Sequence, residues 1–204
     1  MTSPAVILAG GRSTRMGGGD KCLLPLGGKP LIGHIIDAIA PQTLGILINT
    51  NSDSALFARY DLAVLPDAFP GFEGPLAGVL TGMKWSQRHY PRSPYILTVP
   101  GDAPFLPGDL VARLSLSLKE QNSDIAMARC PLRSHPIVGL WPVDLAERLE
   151  RDLHETNIRS LRYWLNGFRV AQAEFPQQSL FNINTPADLD LCQSALQSTR
   201  QIAV

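Results

Sequence analysis

The chain carries no excess charge of either sign: its 204 residues include 18 lysines and arginines and 18 aspartates and glutamates. Proteins that bind nucleic acid or an anionic membrane surface usually show a basic excess, so we expect neither partner here. No apolar run approaches the roughly 20 residues that span a bilayer. The N-terminal "MTSPAVILA" also lacks the basic start and the cleavage pattern of a signal peptide, so we expect no secretion.

Cysteine is scarce as well. Cys22, Cys130 and Cys192 lie far apart in the sequence, and they form neither a CxxC pair nor a Cys/His cluster with the spacing of a zinc site. So sparse and odd a set is typical of a reducing compartment, because disulfide-stabilised proteins pair their cysteines. These observations favour a cytoplasmic protein.

The hydrophobic residues, 45% of the chain, occur in short strand-like runs that alternate with segments of helical period. This alternation predicts an α/β fold with helices around a mostly parallel sheet. Residues 1–204 show no repeat and no linker that would divide the chain, so we expect a single domain. Trp141, Tyr163 and Trp164 are expected in the core. The predicted strands are 4–9, 44–50, 62–66, 95–100, 124–130, 136–142 and 169–175. The predicted helices are 30–40, 75–89, 107–121, 143–155 and 184–197.

The stretch "LAGGRSTRMGGGDK" at 8–21 contains five glycines directly after the first predicted strand. Glycine in a regular element costs roughly 0.5–1 kcal/mol relative to alanine, so this density indicates a loop that bends sharply or lies against a ligand. The N–H groups of Gly10 and Gly11, with the cations of Arg15 and Lys21, suit a ligand with several phosphates. Neither the GxGxxG nor the GxxxxGK[ST] pattern is present.

Polar side chains follow three predicted strands: Asn49 closes "ILIN", Asp67 follows "LAVLP" and Asp102 follows "YILTVPG". Ligands of open α/β sheets bind at the carboxyl ends of strands, where the glycine loop also begins. We therefore expect Asp102 to hold Mg2+, which takes one or two carboxylates together with substrate phosphates. A turn aspartate explains Asp67 equally well on physical grounds, and turn formation is the ordinary explanation of a strand-end asparagine such as Asn49.

Three further polar residues lie in the second half of the chain. His135 stands before a proline at the start of a strand, where a structural imidazole bonded to the backbone is the ordinary explanation. Asn182 and Asn184 flank Ile183 at strand spacing, so that both side chains are able to face one surface.

The segment "LAGGRSTRMGGGDKCLLPLGGKPLI" at 8–32 resembles the signature of nucleotidyltransferases, and most closely that of the molybdenum cofactor guanylyltransferases. The family often has a cysteine at the position of Gly101, a departure to which we give little weight because this residue need not bind anything itself. Later segments agree with the family in order and spacing, so the resemblance spans nearly the whole chain: "INTN" (48–51), "LPD" (65–67), "GPLAG" (74–78), "VPGDAPF" (99–105), "HPIVGLW" (135–141) and "FNINTPADL" (181–189).

The resemblance implies a Rossmann-like three-layer nucleotidyltransferase fold whose N-terminal half binds the nucleotide and whose C-terminal half binds the acceptor. The catalytic residues that it implies are Arg15, Lys21 and Asp102, with the metal on Asp102. The implied nucleotide-binding residues are Leu8, Ala9, Gly10, Gly11, Lys21, Asn49, Asp67, Gly78 and Asp102, with main-chain contacts to guanine at 8–10. The implied acceptor-binding residues are His135, Asn182 and Asn184.

The reaction implied by the resemblance is transfer of GMP from Mg-GTP to the phosphate of molybdopterin, with release of pyrophosphate. The "LAGG" form favours GTP, since cytidylyl-transferring relatives have an alanine-rich variant. A monomer is expected, with molybdoenzymes or other proteins of cofactor biosynthesis as partners. The alternatives are a cytidylyl- or sugar-phosphate nucleotidyltransferase of the same fold and a non-catalytic GTP-binding module.

The sequence shows no Ser–His–Asp or Cys–His set of recognisable context. A phosphate monoester has a second pKa of about 6, so such an acceptor is largely dianionic at pH 7 and needs no general base. Catalysis then consists of positioning and charge neutralisation, which glycine-loop N–H groups, cations and a metal are able to supply.

Overall fold

The computed structural model describes residues 2–10, 19–69, 71, 74–155, 158 and 160–202, with side chains up to residue 196. The strands in this part of the chain are β1 (Ser3–Leu8), β2 (Pro25–Leu26), β3 (Lys29–Pro30), β4 (Thr43–Asn49), β5 (Ala63–Leu65), β6 (Tyr95–Pro100), β7 (Ile125–Cys130), β8 (Arg133–Pro142) and β9 (Val170–Glu174). Its α-helices are α1 (Leu31–Ile39), α2 (Pro75–His89), α3 (Leu110–Glu120), α4 (Ala146–Glu155), α5 (Leu161–Leu165) and α6 (Pro186–Ile202). None of these helices combines the length and the apolar character that crossing a bilayer requires.

One sheet of seven strands organises the described residues, in the order β5-β4-β1-β6-β8-β7-β9. Neighbouring strands are parallel except at β8, which runs antiparallel to both β6 and β7. The reversal at β8 follows from its connection, because β7 and β8 are separated only by residues 131–132 and so short a link permits only a hairpin. The predicted α/β fold with a mostly parallel sheet is therefore confirmed.

Helices cover both faces of the sheet, and strand β1 shows how the sequence produces these layers. Ala5 and Ile7 pack on the face covered by α1 and α3, whereas Val6 between them packs on the face covered by α2 and α4. All three side chains are fully buried. Successive residues of a strand point to opposite faces, so an unbroken apolar run is what a strand between two helical layers requires. The arrangement is the expected three-layer fold.

The C-terminal segment returns to the sheet beside the small β2–β3 hairpin. Leu26, Leu31, Ile183 and Cys192 form a separate buried cluster there, which ties α6 to the hairpin and to the start of α1. The Ile183 N–H also donates to the main-chain carbonyl of Asp102, 2.9 Å away. These contacts bring residues from the end of the chain to the carboxyl end of β6.

Of the three aromatic residues expected in the core, two are confirmed there and one is not. Trp141 and Trp164 are buried, but Tyr163 is 67% exposed. Tyr163 belongs to α5, a five-residue helix that buries Leu161 and Trp164 at a spacing of three residues and turns the side chain between them outward. A helix of barely more than one turn leaves too short a pattern to be recognised in the sequence, which is why α5 was absent from the predicted elements.

Candidate active site

The carboxyl ends of β1, β4 and β6 meet at one edge of the sheet. Leu8 lies opposite Asn49 of β4 on one side and opposite Pro100 of β6 on the other. Just beyond the strands, the Ala9 N–H donates to the Asn49 carbonyl and the Gly101 N–H donates to the Leu8 carbonyl, each over 2.9 Å. These bonds continue the sheet by one residue and fix the backbone from which the neighbouring polar side chains project.

Lys21 and Asp102 form an ion pair at this edge. The ammonium nitrogen of Lys21 lies 2.6 Å from Asp102 Oδ2 and 2.8 Å from Asn184 Oδ1, while Asn182 Nδ2 donates to Asp102 Oδ1 over 2.5 Å. Only 15% of the Lys21 side chain and 20% of the Asp102 side chain are exposed. The structure thus brings together four residues that the sequence separates by up to 163 positions.

The local fold around Lys21 explains how it reaches Asp102. Residues Lys21–Leu23 form one turn of 3-10 helix, in which Cys22 points into the core and is 3% exposed. Ser52 Oγ donates to the Asp20 carboxylate on the other side of the turn. Because Cys22 anchors this turn in the core, the neighbouring lysine is directed across the sheet edge.

Burial, followed by the charge of Asp20, raises the pKa of Cys22 to about 12. Roughly one thiol in ten thousand is then ionised at pH 8, and the thiolate is the reactive form. We therefore expect no alkylation of Cys22 by iodoacetamide in the native protein at pH 8 and complete alkylation in denaturant, measured by peptide mass mapping. Rapid labelling of Cys22 under native conditions would show that this turn opens. Cys130 and Cys192 are likewise buried and free, and burial also raises the pKa of each thiol, so they serve as internal references.

The start of α6 holds Asn184 in place. Asp188 Oδ2 accepts hydrogen bonds from the N–H groups of Asn184 and Thr185, and Thr185 Oγ1 accepts one from the Asp188 N–H. This reciprocal pair of hydrogen bonds is a capping box, which begins α6. The bond from the Asn184 N–H is the main cause of a lowered pKa at Asp188, to which the charge of Lys21 also contributes.

A second cluster of polar side chains lies at the carboxyl ends of β4 and β5. Asp67 accepts hydrogen bonds from Asn49 Nδ2 (3.0 Å) and Asn51 Nδ2 (2.8 Å), and its own N–H donates to Asn51 Oδ1 (2.9 Å). Sequence reasoning singled out Asn49 and Asp67 but not Asn51. The signal was present, because Asn51 follows Asn49 by two residues and alternate residues of an extended chain share a face.

Gly78 lies where α2 approaches these strand ends. A Cβ added at this position would stand 2.3 Å from Asn49 Oδ1 and 2.6 Å from Leu8 Cδ2, so any larger residue would displace these two side chains. Gly101 has a milder constraint, with an added Cβ 3.1 Å from the Cα of Ala9 and 3.2 Å from the Cβ of Cys22. A side chain at position 101 would require the neighbouring atoms to shift by a few tenths of an ångström.

His135 is buried near the amino end of β8. Burial, with the nearby charge of Arg133, lowers the pKa of His135, and the side chain of Asn182 acts in the opposite direction by less. The imidazole therefore favours its neutral form.

Two of the residues singled out from the sequence, Gly11 and Arg15, lie outside the described residues. Gly10 is the last described residue before them and is exposed. The part of the glycine loop that the structure does describe therefore begins at the sheet edge, next to Leu8 and Ala9.

The oxygen atoms around Lys21 suit a hard divalent cation. Asp102 Oδ2 and Asn184 Oδ1 converge on one positive charge, the Lys21 ammonium. Carboxylate and amide oxygens are the ligands that Mg2+ takes from proteins, usually one or two with the rest from water and substrate phosphates. Among the described residues no group of three or more His, Cys, Asp or Glu side chains gathers into a metal cluster. The chemistry of this donor set thus fits a metal that the substrate helps to hold.

Comparison with known proteins agrees with this geometry. The sequence profile of the family described as "MobA-like NTP transferase domain" matches residues 5–170. A molybdenum cofactor guanylyltransferase of Rhodopseudomonas palustris (strain HaA2) is 47% identical over 189 residues, which cover 91% of this chain and 88% of that protein. A second such guanylyltransferase, from Bradyrhizobium sp. (strain ORS 278), is 42% identical with 91% and 89% coverage.

Among solved structures, the fold is similar to that of molybdopterin-guanine dinucleotide biosynthesis protein A from Archaeoglobus fulgidus. The TM-score is 0.75 at 22% identity, with 96% of this chain and 99% of that chain covered. At this identity the likeness concerns the fold alone.

Proposed function

Because the chain belongs to the MobA-like NTP transferase family, we propose that it transfers GMP from GTP to the phosphate of molybdopterin and releases pyrophosphate. The observation that carries this proposal is the Lys21–Asp102 pair at the carboxyl end of β6, joined directly to Asn182 and Asn184. A cation and a carboxylate side by side match the needs of a reaction between two polyanions. The guanylyltransferase names of the relatives at 47% and 42% identity support the choice of substrates.

In this proposal Lys21 and Arg15 neutralise the triphosphate. Lys21 already lies between two oxygen ligands, so its ammonium is able to move to a phosphate oxygen while Asp102 stays beside it. An acceptor phosphate that is largely dianionic at pH 7 needs no general base, which agrees with a site built from charges and amides. The contribution of the protein is then orientation of the two phosphates and stabilisation of the charge that develops between them.

The proposed metal ligand is Asp102, and the metal is Mg2+. When bound, a divalent metal would neutralise charge on the phosphates of GTP. Lys21 lies 2.6 Å from Asp102 Oδ2, so a metal held by Asp102 would stand beside the lysine on the same side chain. The lysine and the metal therefore share one carboxylate.

The nucleoside half of the site is proposed at the ends of β1 and β4. Leu8, Ala9 and Gly10 would supply main-chain contacts to guanine, although the Leu8 carbonyl and the Ala9 N–H also hold the strand ends together. Gly11 is proposed as a further nucleotide-binding residue. Asn49 and Asp67, fixed on each other over 3.0 Å, would offer polar atoms of both kinds to the base or the ribose.

Replacing Gly78 with alanine tests this half of the site. The new methyl group would overlap Asn49 Oδ1 and displace the side chain that orients Asp67. Overpacking of this kind costs about 1–3 kcal/mol, and a loss of that size in GTP binding would raise the Kd for GTP, measured by calorimetry, by about 5- to 140-fold. Gly108→Ala is the matched control, because a Cβ at position 108 would meet no atom within 4 Å. Wild-type affinity in Gly78→Ala would remove Asn49 from the nucleotide site.

The acceptor half is proposed around Asn182 and Asn184, which lie in the C-terminal part of the chain yet touch Asp102 and Lys21. The two substrates would then meet at Asp102. The chain would thus work as a single domain with a nucleotide half and an acceptor half.

Competition among nucleotides tests the proposed substrate. Purified protein is incubated with molybdopterin, Mg2+ and one of GTP, CTP, ATP or UTP, and pyrophosphate release is measured. We expect release with GTP alone. Release with CTP would assign the chain to the cytidylyl-transferring enzymes instead, and tight GTP binding without release in the presence of molybdopterin would make it a non-catalytic binding module.

A further inference from the structure

The short stretch 49–52, at the end of β4, contacts both polar clusters of the candidate active site. Its two asparagines hold the carboxylate of Asp67. Its last residue, Ser52, donates from Oγ to Asp20 Oδ1 over 2.5 Å. Because Asp20 directly precedes Lys21, four consecutive residues connect the carboxylate at the end of β5 with the turn that carries the lysine of the ion pair.

The sheet fixes the position of the Ser52 hydroxyl. The Ser52 N–H donates to Thr50 Oγ1 over 3.1 Å, and the Thr50 N–H donates to the Leu65 carbonyl at the end of β5 over 3.0 Å. Thr50 is buried, so water has little access to these bonds. The group that donates to Asp20 is therefore anchored to the edge of the sheet.

The Asp20 carboxylate is available for this contact because its own turn does not use it. An aspartate that precedes a helical turn usually accepts a hydrogen bond from an N–H of that turn. The Asp20 side chain makes no such bond, and its main-chain carbonyl accepts from the Leu23 N–H over 2.9 Å instead. Gly19 precedes it with a φ of +84°, a conformation that favours glycine. The carboxylate faces Ser52.

The single helical turn that carries Lys21 has two anchors. Cys22 is buried in the core, and Asp20 is bonded to Ser52. Lys21 lies between these two anchors in the sequence. One anchor would leave the turn free to pivot, whereas two fix the direction of the side chain between them. The ammonium is thereby kept 2.6 Å from Asp102 Oδ2.

We propose that Ser52 is a positioning residue, which acts through Asp20 to hold the Lys21 ammonium beside Asp102. The inference rests on the proposed function for its kinetic consequence only, and it assigns Ser52 no contact with either substrate. The segment that orients Asp67 then also orients the lysine, so one stretch of chain would seat both ends of the nucleotide.

The kinetic test removes the hydroxyl in Ser52→Ala. Loss of one hydrogen bond typically corresponds to a change of about 2- to 12-fold, so we expect kcat/KM for GTP in pyrophosphate release to fall about 3- to 10-fold. Adding Ser52→Ala to Lys21→Met should lower kcat/KM no further, because the lysine through which Ser52 acts is already gone. Ser123→Ala is the matched control. It removes a hydroxyl that donates to the Gln121 carbonyl beyond α3, and it should keep the wild-type kcat/KM.

A second readout needs no turnover of GTP. Cys22 belongs to the same turn as Lys21, so a loosened turn exposes its thiol. In Ser52→Ala we expect iodoacetamide to label Cys22 about 3- to 10-fold faster than in the wild type at pH 9, measured by peptide mass mapping without nucleotide. Cys130 and Cys192 are buried elsewhere and should label at their wild-type rates. Unchanged labelling of Cys22 would show that Ser52 does not hold this turn.

Three further results would overturn the proposal: wild-type kcat/KM in Ser52→Ala, an additional loss when Ser52→Ala is combined with Lys21→Met, or equally faster labelling of all three cysteines. The second result would give Ser52 a role that does not pass through the lysine, and the third would show a general loosening of the fold. If the protein released no pyrophosphate from GTP, the proposed function would fail, while faster labelling of Cys22 alone would still support the positioning of the turn by Ser52.

Discussion

Replacing Asp102 with asparagine is expected to lower the rate of pyrophosphate release by about 100-fold or more, which corresponds to about 2.7 kcal/mol of transition-state stabilisation. The substitution keeps the size of the side chain but removes the negative charge that pairs with Lys21 and is proposed to hold Mg2+. The remaining activity should also lose its steep dependence on Mg2+ concentration. Initial rates are measured over a range of Mg2+ at saturating GTP.

Asp109→Asn is the matched control for this experiment. Asp109 is an exposed aspartate before α3, and its only described ion-pair contact, to Arg113, spans 3.8 Å. The control should retain the wild-type rate and Mg2+ dependence. A near-normal rate in Asp102→Asn, with the same Mg2+ response as the control, would count heavily against the assigned site.

Replacing Lys21 with methionine is expected to lower kcat/KM for GTP by about 100-fold, because a positioned cation that stabilises developing charge contributes on this scale. Methionine keeps most of the aliphatic length and deletes the ammonium that bridges Asp102 and Asn184. We expect a higher KM for GTP, because the triphosphate binds more weakly, and a lower kcat, because less of the developing charge is stabilised. Steady-state kinetics with GTP measure the two separately.

Lys84→Met provides the comparison for Lys21. Lys84 pairs with Glu150 between α2 and α4, and its side chain is 37% exposed. Surface pairs of this kind contribute little, so this variant should keep wild-type kinetics. If Lys21→Met also kept wild-type kinetics, Lys21 would take no part in the reaction.

The layered fold was predictable because its cause is local. An unbroken apolar run such as residues 4–8 indicates burial on both faces of a strand. An amphipathic run such as residues 31–39 indicates burial on one face of a helix. The antiparallel direction of β8 and the short helix α5 were not recognised. A hairpin made by a two-residue link and a helix of five residues leave almost no periodic signal.

The residue types of the site were also visible, but their contacts were not. An aspartate at the end of a strand and a lysine in a glycine loop each indicate, taken singly, a site for phosphate or metal. Their pairing across 81 residues, and that of Lys21 with Asn184 across 163, depend on sheet order and on the return of the C-terminal segment. Sequence pattern gives the chemistry of such residues, and topology alone decides which of them meet.

The most direct measurement is the mass of the product formed when the protein is incubated with Mg-GTP and molybdopterin. The account predicts a single new species, molybdopterin joined to one GMP unit, with pyrophosphate appearing in equal amount. Unchanged molybdopterin beside intact GTP, or an adduct that forms only when CTP replaces GTP, would contradict it.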